Sequence, residues 1–203
     1  MKNRNVRFTT EVGTAKWPHL NKPDTKFNKE GDYKVSLVLD EEGAKKIQSE
    51  MRTVLDEFIK QGLQQSAKMS QLPVKDEVDD SGNPTGNSEI KFKLKAVGGG
   101  RGGETWQQRP ILIDAKRKPM TETIGGGSKI RIGCEIVPYS TAATGTGITL
   151  RLKAVQVIEL VEISNGGSIE SWSFNQEDGF TTSGKPSQDS EEGSEPEEGN
   201  FDW

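Results

Sequence analysis

The sequence predicts a mainly β domain, a five-stranded Greek-key barrel with one capping α-helix, followed by a disordered acidic tail. Three observations point there. Several segments alternate apolar and polar residues with period two, the mark of half-buried strands. Only one stretch, at about residues 40–60, carries apolar residues at a clear helical spacing. Charge is also divided along the chain: residues 170–203 hold ten acids and one base, while residues 1–169 hold 26 bases and 21 acids. The tail is dominated by Gly, Ser, Pro, Asp and Glu, and such a segment cannot bury enough surface to fold. The expected division is therefore a barrel over 1–169 and a tail over 170–203.

The elements follow in order. Residues 6–14 read as a first strand, weakly patterned. Pro18 lacks an N–H and is expected to interrupt it, leaving Trp17 on a rim or loop. Residues 21–32 are turn-rich. Tyr33, Val35, Leu37 and Leu39 then alternate with Lys34, Ser36 and Val38 in a second strand. Asp40 is a candidate N-cap, and Glu41 and Glu42 suit the positive end of a helix dipole. Ile47, Met51, Val54, Leu55, Phe58 and Ile59 form one apolar stripe, and Gly62 stops the helix. Its expected role is to plug one end of the barrel.

Residues 62–88 are expected to be mostly loop, with a short helical turn near 64–69. Ile90, Phe92, Leu94 and Ala96 then alternate with Lys91, Lys93 and Lys95. Residues 98–103 (GGGRGG) predict a mobile loop with Arg101 at its tip. Residues 110–114 form a short apolar strand, and 115–119 a basic turn. After three glycines, Ile130, Ile132, Cys134 and Ile136 alternate with Lys129, Arg131, Gly133 and Glu135, and Pro138 is expected to end that ladder. Ile148, Leu150, Leu152 and Ala154 alternate with Arg151 and Lys153 in the last strand, whose phase shifts near residues 155–157, as a bulge would make it do. The strand count fits a small barrel of the oligonucleotide/oligosaccharide-binding type.

Composition excludes much. Cys134 is the single cysteine, so no disulfide can form within the chain, and its phase makes it core. No apolar run approaches the roughly 18 residues of a membrane-spanning helix, and MKNRNVRF is not a signal peptide; a cytosolic protein is expected. His19 is the single histidine, which leaves a zinc cluster or a Ser-His-Asp triad without partners. GGGSK at 125–129 lacks the GxxxxGK[ST] order and leads into a strand, so it offers no helix N-terminus to a phosphate. No metal site, cofactor or catalytic residue is expected.

Binding of single-stranded nucleic acid is the chemistry these residues serve. It needs cations along the phosphates and exposed rings that stack on unpaired bases. Cations with an open-face phase are Lys91, Lys93, Lys95, Lys129, Arg131, Arg151 and Lys153; loop cations are Lys16, Arg101, Arg109 and residues 116–118. Candidate rings are Trp17, Trp106 and Tyr139, whereas Tyr33 and Phe92 carry the core phase. The tail supplies a flexible polyanion (Asp189, Glu191, Glu192, Glu195, Glu197, Glu198 and Asp202) with Phe201 and Trp203 as aromatic anchors. Tethered beside a basic groove, it would compete with weak ligands and offer a partner protein charge and a ring.

Residues 111–120, 124–129 (IGGGSK), 136–139 (IVPY) and 150–160, with Gly13-Thr14-Ala15, Lys22-Pro23-Asp24, Tyr33-Lys34-Val35 and Lys91-Phe92-Lys93, resemble the single-stranded DNA-binding proteins of short-tailed bacteriophages over nearly the whole chain. The resemblance implies the oligonucleotide-binding fold and sequence-independent binding of single strands in phage DNA replication, recombination and repair. It implies help in annealing, a tail that contacts the phage DNA polymerase and helicase-primase, and a homodimer in the cytoplasm of the infected bacterium. It also carries a base-stacking role onto Tyr139. The family's aromatic segment after the KFK strand reads AVGGG here (96–100), with Trp106 as the nearest ring. The tail ends in tryptophan where the family pattern has phenylalanine. Three other readings make different predictions: an acidic-tailed adaptor that binds protein, an RNA binder of the same fold, and a metal-dependent nuclease.

Overall fold

The computed structural model describes residues 5–100 and 102–162. The tail residues from Asp189 to Trp203, Arg101, and the boundary expected at 169 lie outside the described residues.

Among the described residues ten strands and one helix follow one another: β1 (Val6–Thr9), β2 (Gly13–Asp24), β3 (Asp32–Leu39), α1 (Glu41–Lys60), β4 (Val74–Val78), β5 (Pro84–Lys95), β6 (Val97–Gly99), β7 (Thr105–Gln107), β8 (Ile111–Ile113), β9 (Lys129–Thr141) and β10 (Gly145–Glu159). Five of them close a ring, β9-β2-β3-β5-β10 and back to β9. This is the five-stranded barrel the alternation predicts. Its seam is a parallel pairing of β5 with β10 at Lys93 and Arg151. The register shows how the ring closes. Followed from Ile130 through Gly13, Leu39, Ser88 and Thr146, it returns to β9 at Ser140, ten residues further along. Such a stagger is what tilts the strands of a closed barrel.

The alternating residues build the core. Val35, Leu37, Ile90, Phe92, Ile130, Ile132, Cys134, Ile136, Leu150 and Leu152 are all at most 2 % exposed. Phase follows the bulges. In β10 the register slips between Leu152 and Ala154, so Lys153 is the extra residue. The buried positions change there from Ile148, Leu150 and Leu152 to Val155 and Val157. The shift expected near 155–157 thus begins at Lys153, two residues ahead of Val155, and a second slip follows between Val157 and Glu159.

Helix α1 begins where Asp40 accepts the Gly43 N–H at 2.8 Å. Its stripe of Ala44, Ile47, Met51, Val54 and Leu55 joins the barrel core. The helix packs on β3, β5, β9 and β10, as a plug at one end should.

Several expectations are corrected. The first strand is broken. β1 lies along β9, Thr10 continues the ladder to Ile132, and β2 resumes against β9 at Gly13 before crossing to β3. A Cβ on Gly13 would lie 2.3 Å from the Val38 carbonyl, so only glycine permits that crossing. Pro18 does not end β2: it sits in a bulge where Lys16 and His19 face Ser36 and Lys34, with β2 paired on one side only. Pro138 likewise lies inside β9, beyond the last residue paired to β1, where that edge requires no N–H donor.

Residues 62–88 are mostly loop, as expected, but they also carry β4 and the start of β5, and no helical turn forms at 64–69. β4 and β5 make a hairpin there, and Met69 bridges Thr146. Of residues 98–103, Gly98 and Gly99 belong to β6, paired with Trp106 and Thr105 of β7, and Gly100, Gly102 and Gly103 lie between the two strands. The antiparallel pattern is incomplete, because β10 is parallel to both β5 and β8.

Candidate nucleic-acid interface

Cross-strand register assembles cations that are far apart in sequence. In the ladder, Lys16 faces Ser36 and Ser36 faces Lys91. One row along, His19 faces Lys34, Lys34 faces Lys93, and Lys93 faces Arg151. In the next row Lys95 faces Asp32. Paired residues project from the same side of a sheet. Lys16, Lys34, Lys91, Lys93, Lys95 and Arg151 therefore share the outer face of β2, β3, β5 and β10. Lys34 has the same phase as the predicted cations and stands between the apolar residues of β3.

Most of this face is already paired with carboxylates. Lys16 Nζ lies 2.7 Å from Glu77 and Lys93 Nζ 2.9 Å from Asp32, and Lys34 pairs with Asp24. Arg151 and Lys153 approach Glu135 at 3.3 and 4.0 Å. Lys91, Lys95 and Arg109 have no ion-pair partner among the described residues. The Lys16 pair is braced by further hydrogen bonds. Glu77, on β4, also receives the Thr85 hydroxyl at 2.7 Å and the Asn87 amide at 3.1 Å. The Lys16 hydrogen bond and then the Thr85 one hold its carboxyl down to about 2 from an ordinary 4.5, and Lys16 is raised in turn. The hairpin thus sets a carboxylate beside Lys16 on the cation face.

Exposed rings border the face. Trp17 stands 77 % exposed on the β2 bulge with φ +52°. Phe27, at the β2–β3 turn, is 86 % exposed with Lys26 Nζ 5.5 Å from its ring centre. Phe27 was not among the sequence candidates; its place in a polar turn, where burial is not available, was the signal. Trp106 is 51 % exposed and directly opposite Gly98 in the β6–β7 hairpin. A Cβ on Gly98 would lie 2.5 Å from the indole, so the ring rests on bare backbone.

Tyr139 makes the same arrangement with Gly147. The two are cross-strand partners, and a Cβ on Gly147 would lie 2.8 Å from the phenol oxygen. Tyr139 is half-buried and stands four residues up β10 from the Arg151 row, about 13 Å along the strand. The segment around Ser70, which pairs with Thr146, lies beside it. Lys129 is ten residues from Tyr139 on β9; it faces Thr14, whose hydroxyl accepts from its ammonium at 2.8 Å, and Thr14 stands two residues along β2 from Lys16. Arg131 lies 3.9 Å from Glu11. Lys129 thus borders the Lys16 row on the same outer face, and Arg131 lies two residues beyond it on β9.

The GGGSK turn is structural. The buried Ser128 hydroxyl donates to the Gly125 carbonyl at 2.8 Å and accepts the Val161 N–H at 3.0 Å, tying β9 to the end of β10. The basic turn is closed by Asp114, whose carboxylate accepts the Lys118 N–H at 2.8 Å. Cys134 is buried, and desolvation raises its thiol to about 12. Among the described residues no group of three His, Cys, Asp or Glu could hold a metal, and no helix is long and apolar enough to cross a membrane.

The family model for the single-stranded DNA-binding protein of bacteriophage T7 matches residues 12–160. The single-stranded DNA-binding protein of Enterobacteria phage T3 is 30% identical, with 91% of this chain and 89% of the relative covered. That of Escherichia phage T7 is 27% identical over 87% and 85%. In structure, the chain is similar to gp2.5, a single-stranded DNA-binding protein encoded by bacteriophage T7, with a TM-score of 0.59, 26% identity, and 89% of this chain and all of that one covered. It also shares its fold with the single-stranded DNA-binding protein of bacteriophage Enc34 in complex with ssDNA, at a TM-score of 0.54 and 19% identity over 78% and 89%.

Proposed function

The chain belongs to the family of the bacteriophage T7 single-stranded DNA-binding protein, and on that premise we propose that it coats exposed single-stranded DNA without regard to sequence. It acts as a binding protein and performs no bond chemistry. Its setting is phage DNA replication, recombination and repair in the cytoplasm of the infected host. There it keeps strands unstructured, promotes annealing, and works as a homodimer. The acidic tail, through Phe201 and Trp203, hands the coated strand to the phage DNA polymerase and helicase-primase.

One observation carries the DNA-binding part: three cation rows across β2, β3, β5 and β10, bordered by the exposed rings of Trp17, Phe27 and Trp106. Phosphates need the rows and unpaired bases need the rings. A duplex offers phosphates but no free base faces, so the rings favour the single strand.

The test is fluorescence anisotropy of labelled oligo-dT against duplex of equal length across a salt series, with the whole chain and with residues 184–203 removed. Expected are a single-strand preference, a log–log salt slope of about −0.7 per phosphate neutralised, and tighter binding without the tail. Weaker DNA binding by a folded truncation would refute the tail as competitor. Absence of binding by either form at low salt would refute the function.

A further inference from the structure

A groove of about 540 Å³ opens beside the β2–β3 hairpin, between it and the segment that carries β8. Its walls are largely apolar: Leu20, Tyr33, Leu112 and Met120, with the exposed Lys22 and Arg109 also lining it. Its position follows from the β2 bulge. The extra residue there changes the phase of β2, so Leu20 turns to the core side, next to Tyr33, while His19 and Lys34 face out. Leu20 is 2 % exposed and Tyr33 half-buried, packed against the core. Lys22 follows Leu20 on the same side, where the strand runs past the core.

The groove's far wall is anchored. The Asn21 amide donates to the carbonyls of Thr121 and Glu122 at 3.1 and 2.8 Å, and its oxygen accepts the Ile124 N–H at 3.1 Å. Met120 is tied to β8 by its N–H on the Leu112 carbonyl at 3.1 Å. The volume falls within the roughly 300–1,000 Å³ of sites that hold small organic groups. Lys22 and Arg109 have no ion-pair partner among the described residues, unlike Lys34 and Lys93 nearby. A half-buried ring, apolar walls and two unneutralised cations complement one ligand chemistry: a flat, uncharged base attached to phosphates.

We propose that this groove receives one unpaired base of bound single-stranded DNA, turned out of the strand against Tyr33, with its flanking phosphates on Lys22 and Arg109. The inference rests on the single-strand-binding reading and adds a site to it. A base committed to a pair cannot enter, so the groove discriminates against duplex in a way that surface rings alone do not. It also holds one nucleotide out of any hairpin the strand would form.

The experiment uses the whole chain and oligo-dT carrying 5-iodouracil. First, the unsubstituted oligo is bound by the wild-type protein. Irradiation of the iodinated complex then links the base to residues in contact, which are mapped by mass spectrometry. Expected are links to Tyr33 or Met120. Tyr33→Leu should weaken oligo-dT binding roughly tenfold or more, as loss of one stacked base does, while Tyr33→Phe, which keeps the ring, should restore most of that loss. Lys22→Ala should make the salt slope shallower by about 0.7. The crosslink and the lysine variant do not depend on how well Tyr33→Leu folds. If oligo-dT binds but links form only at Trp17, Trp106 or Tyr139 and Lys22→Ala leaves the slope unchanged, the groove is refuted while the function stands. If the wild-type protein binds no oligo, both fall.

Discussion

The indole of Trp106 lies on the backbone of Gly98, its direct partner across the β6–β7 hairpin, in space that any side chain at 98 would fill. The glycine-rich run before Trp106 thus seats a ring. Gly98→Ala would drive a methyl into the indole at 2.5 Å. Overpacking of this kind costs about 1–3 kcal/mol. The expected outcome is a loosened hairpin, weaker oligo-dT binding, and barrel circular dichroism unchanged. Unaltered affinity would mean that the seated ring does not contact DNA.

Tyr139 over Gly147 repeats the arrangement on the barrel itself. Tyr139→Ala should weaken single-strand binding by about 1–3 kcal/mol, the contribution of one stacked base, without unfolding the protein. Tyr139→Phe keeps the ring and should retain most of the affinity. Equal affinity for wild type and Tyr139→Ala would remove this ring from the DNA path.

Glu77 holds Lys16 at 2.7 Å on the face proposed for phosphates. Glu77→Gln should free that cation, tighten oligo-dT binding at low salt and steepen the salt slope by about 0.7. A shallower slope or weaker binding would show the pair to be purely structural.

The same carboxylate sets a pH dependence. Its pKa is lower in the folded protein, about 2 against an ordinary 4.5. The contribution of the clamp is therefore complete above pH 4.5 and is lost as pH falls from there toward 2. Carboxyl-carbon NMR should find Glu77 titrating near the bottom of that window. A midpoint near 4.5 would mean that the Lys16 pair does not persist in solution.

Cys134 is buried in β9 with its thiol raised to about 12 by desolvation. It should resist iodoacetamide at pH 8 in the folded protein and react once denaturant is added, since the thiolate is the nucleophile. Rapid alkylation under native conditions would contradict its place in the core.

Legibility in the sequence followed the range of the interaction. Asp40 and the stripe from Ile47 to Leu55 were readable because a helix is specified by neighbours three and four apart. Lys91, Lys93 and Lys95 were readable because β5 alternates cleanly on both faces. The β4–β5 hairpin was not, since β4 (VKDEV) buries neither face fully and offers no alternation to find. Phe27 was legible only from the polar turn that holds it, and Lys34 only from its place opposite the apolar residues in the alternation of β3. Pro18 and Pro138 misled for one reason: proline forbids a donor, and each sits on a strand that lacks a neighbour on one side at that point.

By itself the sequence determined which side of β3, β5, β9 and β10 meets the core, where the helix starts, that the body is basic and the tail acidic, and which family the chain resembles. The tertiary structure decided the rest: the ring closure that returns Ile130 to the level of Ser140, the seam that brings Lys93 to Arg151, the bulge that turns Leu20 inward, and the pairing of Lys16 with Glu77. Burial is written in the local alternation of a strand. Register and charge pairing are set between strands far apart in the chain, and a local pattern holds no record of which partner arrives.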